Sequence, residues 1–273
     1  KDCNKGTFGR VLNLSGSTSY IGAGIISTRA AIRSGCGYVY IASVEEVINA
    51  VIPAVPEACC VKLKKNASGN ISGDNIELLG GYINSMDSVL FGCGVGMSDD
   101  TSLILDALVR GCDKPLLIDA DGLNLLSRDI DILAEKKCPV VLTPHPGEFA
   151  RMTGLPVSRI NSDRLNIAND FASRYGVTLL LKGSESIITK GDGDIFFVNN
   201  GSPGMAKAGS GDALSGMIAS LLAQGHDPLN AACCGAWLHA EAGSTAAKKY
   251  SVMSMTASDL IASIGDVFLA NDR

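Results

Sequence analysis

The strongest constraint on the fold is a series of short apolar runs that do not alternate with polar residues. Residues 10–15, 38–42, 88–91, 115–118, 139–142 and 177–181 each read as a β-strand, with only Asn13 interrupting the first. A strand with one wet face would alternate, so these runs predict a sheet covered on both faces. Helices are predicted over 23–34, 74–84, 101–110 and 164–175, with short helical segments between 118 and 139. No element is assigned between Ala42 and Asp74. A strand, helix, strand succession of this kind requires parallel pairing. Residues 186–189 and 195–199, joined by Gly191-Asp192-Gly193-Asp194, read as an edge hairpin. The tail reads as a helix over 228–248 and a last one that Thr256 could cap, with Asp259 three residues on. No Pro-rich or charged linker and no repeat divides the chain. Residues 1–273 are therefore expected to form one doubly wound, mostly parallel α/β domain with helices on both faces.

Composition removes several function classes. Lys and Arg total 23 against 28 Asp and Glu, a net charge of −5, which argues against a nucleic-acid partner. No apolar run reaches the roughly 18–20 residues that a membrane span needs, so no membrane partner is expected. The nine cysteines are an odd number, and Cys59-Cys60 and Cys233-Cys234 are adjacent pairs ill suited to disulfides. Reduced thiols in a cytoplasm are expected, most of them acting as small core residues. Three histidines without ligand-like spacing argue against structural zinc. The first residue is Lys1 rather than Met, so the chain is read as a fragment of a longer product.

One stretch cannot be regular structure and then abruptly becomes so. Residues 199–212 are crowded with Gly, Ser and Asn and end in Gly209-Ser210-Gly211-Asp212; immediately after, Leu214, Met217, Ile218, Leu221 and Leu222 form the stripe of an amphipathic helix. The first N–H groups of a helix lack partners within it and carry the positive end of its dipole, so an anion can sit there. Gly209 and Gly211 let the backbone approach a phosphate closely. Asp212 is either the helix N-cap or a catalytic carboxylate; the local pattern does not separate the two.

Ligands of open parallel sheets lie beyond the carboxyl ends of the strands. There the chain places Gly16-Ser17, then Gly92-Cys93-Gly94-Val95-Gly96, Asp119-Ala120-Asp121, Thr143-Pro144-His145-Pro146-Gly147-Glu148, and Lys182-Gly183-Ser184-Glu185-Ser186. The glycine run has neither the Rossmann spacing nor the ending of a P-loop. Each group has an ordinary explanation: a tight turn for Gly92 to Gly96, turn or cap for Asp119 and Asp121, a Pro-fixed turn for His145, a solvated strand end for Lys182. Their gathering on one edge of the sheet is what those explanations do not cover.

This series, closed by Gly209-Ser210-Gly211-Asp212, resembles in order and over nearly the whole chain the NAD(P)H-hydrate dehydratase family of the ribokinase-like superfamily. The resemblance implies repair of the 6-hydroxy hydrate of NADH or NADPH with ADP or ATP as co-substrate, ADP being favoured. It implies hydrate-binding positions at Ala23, Gly96, His145 and Asp212, with Gly94 in the same turn. It implies nucleotide-binding positions at Lys182, Gly183, Ser184, Glu185, Ser186 and Gly211, with Gly209 and Ser210 in the phosphate loop. A homo-oligomer, specifically a tetramer, is implied as well, and the segment before Gly9 looks like the junction that follows an epimerase domain in two-domain relatives. The departures are Cys93, where the family often has Pro, Ser210, where Thr is frequent, and Asn13.

The implied chemistry is phosphorylation of the C6 hydroxyl with Asp212 as base, while N–H groups from Gly209 to Asp212 hold the terminal phosphate. A helix terminus supplies roughly 0.3–1 kcal/mol, so a further cation is needed. Mg²⁺ bridging the phosphates, with Glu148 close by through water, is expected to supply it. The phosphorylated carbon, beside a ring nitrogen, can then expel phosphate without a second base. The rival expectation is a kinase of the same superfamily acting on a vitamin precursor or sugar; His145 with its Pro-Gly-Glu continuation favours the dehydratase. A nucleotide-binding module without turnover is the third reading, and an intact Asp212 argues against it.

Overall fold

The computed structural model describes residues 4–272; the start of the expected junction segment, residues 1–3, lies outside them. In chain order the elements are β1 (Arg10–Leu14), α1 (Ile21–Arg33), β2 (Tyr38–Ser43), α2 (Glu45–Ala54), β3 (Cys59–Lys62), α3 (Ile76–Ile83) and β4 (Ser88–Phe91). They continue with α4 (Asp99–Gly111), β5 (Leu116–Ile118), α5 (Asp121–Leu126), β6 (Val140–Leu142), α6 (Pro146–Thr153), α7 (Val157–Ser162), α8 (Arg164–Tyr175) and β7 (Thr178–Leu181). Last come β8 (Ser186–Thr189), β9 (Ile195–Val198), α9 (Ser210–Ala223), α10 (Pro228–Ser254), α11 (Ala257–Ala262) and α12 (Ile264–Asn271).

The described strands form one sheet in the order β3-β2-β1-β4-β5-β6-β7-β8-β9, parallel from β3 through β7, with β8 and β9 added antiparallel. The expected edge hairpin is therefore present. The order reverses between β1 and β4, where Leu14 stands beside Phe91. Helices leave that junction toward opposite faces, opening a crevice beyond the strand ends.

The apolar runs are explained by two cores. Leu12, Leu14, Val89, Phe91, Leu116, Ile118, Leu142, Leu179 and Leu181 face one layer. The intervening residues Val11, Val39, Leu90, Leu117, Val141 and Leu180 face Leu214, Ile218 and Leu222 of α9 and the alanines of α10. Successive side chains leave a strand on opposite sides, so a run buried on both must be apolar at every position. Asn13, the exception, is buried and donates to Ser27 Oγ (2.9 Å) and Thr28 Oγ1 (3.0 Å) of α1.

Two expectations change. The stretch left unassigned holds α2 and β3. The His-Pro segment is the start of a helix, α6, rather than a mere turn. The eight cysteines described are all free thiols: Cys93, Cys112 and Cys138 are buried, Cys36 and Cys233 pack half-buried against the second core, and Cys60 and Cys234 are exposed.

Candidate active site

Each wall of the crevice is a loop that the sheet order brings to the β1/β4 junction. Gly16, just past β1, donates its N–H to the Cys93 carbonyl (2.7 Å), tying the first loop to the turn after β4. That turn is built on glycines with positive φ, 127° at Gly92, 65° at Gly94 and 81° at Gly96. A Cβ on Gly94 would lie 2.9 Å from Ala23 Cβ and 2.6 Å from Tyr20 Cβ, and one on Gly96 would lie 2.2 Å from Asn70 Oδ1. Gly96 donates its N–H to Asp121 Oδ2 (2.9 Å). Ala23, Gly94, Gly96 and Asp121 thus form one continuous wall.

The turn after β5 is strained. Ala120, between the two aspartates, adopts φ 51° and ψ −119°, a conformation that costs a residue with a Cβ about 1–3 kcal/mol. Asp119 is buried beneath it. Its Oδ1 accepts from the Ala120 N–H (2.8 Å) and from Lys182 Nζ (2.9 Å), and its Oδ2 accepts from Ser215 Oγ (2.6 Å).

Lys182 follows β7, and its own N–H donates to the Pro144 carbonyl (2.8 Å), fixing this loop against the one after β6. The Lys182 ammonium also lies 3.8 Å from Glu148 Oε2. Burial works against its charge, but Asp119 and Glu148 outweigh that and hold its pKa above the ordinary lysine value. Burial pushes the Glu148 carboxyl up to about 7, with Lys182 pulling the other way. Glu148 Oε2 also accepts the His145 N–H (2.8 Å), while His145 Nδ1 accepts from the N–H groups of Gly147 (3.0 Å) and Glu148 (3.3 Å). His145 is therefore the N-cap of α6, with Pro146 at the position where a helix tolerates proline best. Burial, then the charges of Lys182 and Arg151, hold its pKa below the ordinary value. A neutral ring whose Nδ1 accepts carries its proton on Nε2, which remains a donor.

The glycine loop ends differently from the cap expectation. Helix α9 begins at Ser210, Gly209 occupies the cap position with φ 87°, and the Ala213 N–H donates to the Gly209 carbonyl (3.0 Å). Asp212 is the third helical residue and makes no cap bond, so the N-cap reading is overturned. Its carboxyl is pushed above the ordinary value by burial and by Asp119, against the Cys93 thiol and Lys182. The N–H groups of Gly211 and Asp212 have no partner among the described residues. A Cβ on Gly211 would be 3.7 Å from Lys182 Nζ and 3.8 Å from Asp119 Oδ2, so ammonium, carboxylate and helix start meet at this residue.

Of the expected nucleotide positions, Lys182, Gly209, Ser210 and Gly211 converge. Ser184 and Glu185 are exposed on the β7–β8 turn and no contact links their side chains to the cluster. That turn is clamped instead by Arg164 at the start of α8, whose Nη2 donates to the carbonyls of Leu181 (3.2 Å), Lys182 (3.3 Å) and Glu185 (3.1 Å). Two further supports went unread. His239 of α10 sits behind the loop with Nε2 2.9 Å from the Ser210 carbonyl, its pKa lowered by burial to about 4. Ser215 stands one turn along α9 from Gly211, and its Oγ, whose proton goes to Asp119, lies 3.1 Å from the Gly211 carbonyl. Periodicity marks Ser215 as polar on an apolar helix; nothing in the sequence marks His239 or Arg164.

Among the described residues no group of three or more His, Cys, Asp or Glu side chains could cage a metal ion. The carboxylate oxygens present suit a hard cation, but those of Asp119 are already spoken for. The set fits Mg²⁺ carried mainly by phosphate oxygens and water, as Mg²⁺ usually is, with Glu148 the carboxylate nearest Lys182 and available to hold one of those waters. The buried hydroxyls of Ser17 and Thr143, just past β1 and β6, have no hydrogen-bond partner among the described residues.

This sheet order, with a helix start and a carboxylate at its switch point, defines the class as ribokinase-like. Within that class the chain belongs to the NAD(P)H-hydrate dehydratase family, whose model matches residues 11–265. It is 37% identical over 258 residues to the bifunctional NAD(P)H-hydrate repair enzyme of Moorella thermoacetica, covering 94% of this chain and 49% of that one. It is 35% identical to the ADP-dependent (S)-NAD(P)H-hydrate dehydratase of Neisseria meningitidis serogroup B, covering 89% and 78%. Among solved structures it superposes on the ADP/ATP-dependent NAD(P)H-hydrate dehydratase of Bacillus subtilis, co-crystallised with ATP and Mg²⁺, with TM-score 0.84 at 29% identity over 98% and 92% of the two chains. The chain spans about half the length of the bifunctional relatives it matches. No helix described is long and apolar enough to cross a membrane.

Proposed function

We propose that the chain dehydrates the (6S)-hydrate of NADH or NADPH at the expense of ADP or ATP. The observation that carries this is Asp212, a buried carboxylate that caps no helix, set beside two unpartnered helix N–H groups and within the field of Lys182. Asp212 takes the proton of the C6 hydroxyl as that oxygen attacks the terminal phosphorus, whose bond to the bridging oxygen breaks to release AMP from ADP or ADP from ATP. The Gly211 and Asp212 N–H groups and the Lys182 ammonium hold the charge on the migrating group. Burial, with Asp119 beside it, raises the Asp212 pKa and so makes it a better proton acceptor. Ala23, Gly94, Gly96 and His145 form the wall for the hydrate, His145 offering Nε2–H. Lys182, Gly183, Ser184, Glu185 and Ser186 with Gly209, Ser210 and Gly211 take the nucleotide. Mg²⁺ would neutralise the phosphate oxygens when bound, with Glu148 holding one of its waters. The ring nitrogen beside the phosphorylated carbon then expels phosphate, and the iminium so formed gives up its acidified C5 proton to the departing phosphate to restore the C5–C6 double bond, so no second protein base is needed. Resemblance to the Neisseria relative favours ADP. A tetramer, a cytoplasmic location, a single domain over this chain and a companion epimerase belong to the same reading.

Incubation with NADH hydrate, Mg²⁺ and ADP or ATP, followed by the return of NADH absorbance, tests the proposal. Recovery is expected, and Asp212→Asn should slow it by roughly 10²–10⁴-fold without loss of fold. No recovery with either nucleotide, or phosphate retained on a product, would point instead to a kinase.

A further inference from the structure

Asp119 is buried and held by three donors at once, and the reaction as described gives it nothing to do. Its carboxylate accepts from a backbone N–H, the Lys182 ammonium and the Ser215 hydroxyl at 2.8, 2.9 and 2.6 Å, which fixes both oxygens. Those donors come from three elements far apart in the chain: the strained turn at Ala120, the end of β7, and the second turn of α9. Glycine at 92 is what lets the turn sit there, because a Cβ at that position would lie 2.0 Å from the Asp119 carbonyl. Ser215 in turn reaches back to the Gly211 carbonyl (3.1 Å), so the orientation of the carboxylate and the first turn of α9 are set together. The Lys182 ammonium is thereby brought to the side of Gly211, where the unpartnered N–H groups lie.

We propose that Asp119 is a positioning residue, which with Ser215 holds the Lys182 ammonium where the terminal phosphate of the nucleotide docks against Gly211. This rests on the dehydratase reading. A lysine on a four-carbon stem has many rotamers, and freezing one in advance removes an ordering step that bound phosphate would otherwise have to drive. A buried carboxylate without a metal is costly, and pairing with Lys182 is what makes both charges tolerable. Asp119 therefore acts through Lys182 and touches neither substrate nor the reacting atoms.

A double-mutant cycle separates this from a purely structural role. Asp119→Asn and Lys182→Met should each lower kcat for hydrate dehydration by roughly 30–100-fold while KM for the hydrate moves less than about threefold, the pattern of lost transition-state charge stabilisation. In the Lys182→Met background, Asp119→Asn should cost no more than about a further threefold. Multiplication of the two losses to about 10³-fold or more would overturn the proposal. Ser215→Ala leaves both charges in place and repeats the cycle should Asp119→Asn fail to fold; about a 5–10-fold loss, absent without Lys182, is expected. Should the wild-type chain fail to turn over NADH hydrate, the dehydratase reading falls by itself. The cycle is then read in ADP affinity by calorimetry, where Asp119→Asn must weaken binding with Lys182 present and leave it unchanged with Lys182→Met, or the proposal is wrong.

Discussion

The two glycine-rich turns that face each other across the crevice use glycine for opposite reasons. In the turn after β4, Gly92, Gly94 and Gly96 all have positive φ, and a Cβ on any of them would meet another atom within 2.6 Å. Protein already fills the space, and the turn is a packed joint between four loops. At the start of α9, Gly209 is of the same kind, with φ 87° and Ile26 Cδ1 2.6 Å from an added Cβ. Gly211 differs: its conformation is helical, and its nearest neighbours would be ordinary van der Waals contacts. Here the missing side chain leaves room, and the room lies beside an ammonium and two idle N–H groups. A glycine motif therefore says that something comes close; only the surrounding atoms say whether it is protein or ligand.

That contrast can be broken by three measurements. The largest effect is expected from Gly92→Ala, which must move the Asp119 carbonyl and adopt φ near 127°; a loss of about 3 kcal/mol or more in unfolding free energy should appear in denaturant titration. An unchanged midpoint would mean that the joint is not packed as described. Gly211→Ala should do the reverse, keeping stability within about 1 kcal/mol, since alanine is the better helix residue. Its methyl would fill the proposed phosphate cradle, so turnover of NADH hydrate should fall roughly 10–100-fold; full activity would place the phosphate elsewhere. The smallest effect concerns the floor of the open side. Burial raises the Glu148 carboxyl from its ordinary 4.5 to about 7, so between those values the folded protein keeps a proton that the unfolded chain has lost. Stability of the ligand-free, Mg²⁺-free protein should therefore fall as pH rises from about 4.5 to about 7 and level off above, by roughly 1–3 kcal/mol. Glu148→Gln, which keeps the capping geometry, should flatten that slope.

Much of the fold could be read because a doubly covered parallel sheet writes itself as uninterrupted apolar strands, and Val11 to Leu14 or Leu179 to Leu181 have no wet face to dilute the pattern. The region around β3 escaped for the complementary reason. It is the edge strand, only Val61 is buried in it, and Pro53 lies inside the last turn of the preceding helix, where a proline reads as loop. At His145 the Pro-Gly continuation looked like a turn because proline at the first helical position and proline in a turn obey the same local rule. The site residues at strand ends were legible from position alone. Their supports were not: Ser215 meets Asp119 across 96 residues and His239 meets Ser210 across 29, and such pairings exist only once the topology is known. Asp212 was misjudged as a possible cap because cap preference is a statement about residue type, whereas the helix start was decided one step earlier by Gly209.

The crevice is assembled from Gly16, Gly92, Asp119, Glu148, Lys182, Gly211 and, behind them, His239, so nearly the whole described chain must be in place before any of it can hold a nucleotide. No foldon of this protein owns the site. Ligand affinity is consequently coupled to global rather than local unfolding, and a bound nucleotide should protect amides in β2 and α12, far from any contact, as strongly as those of α9.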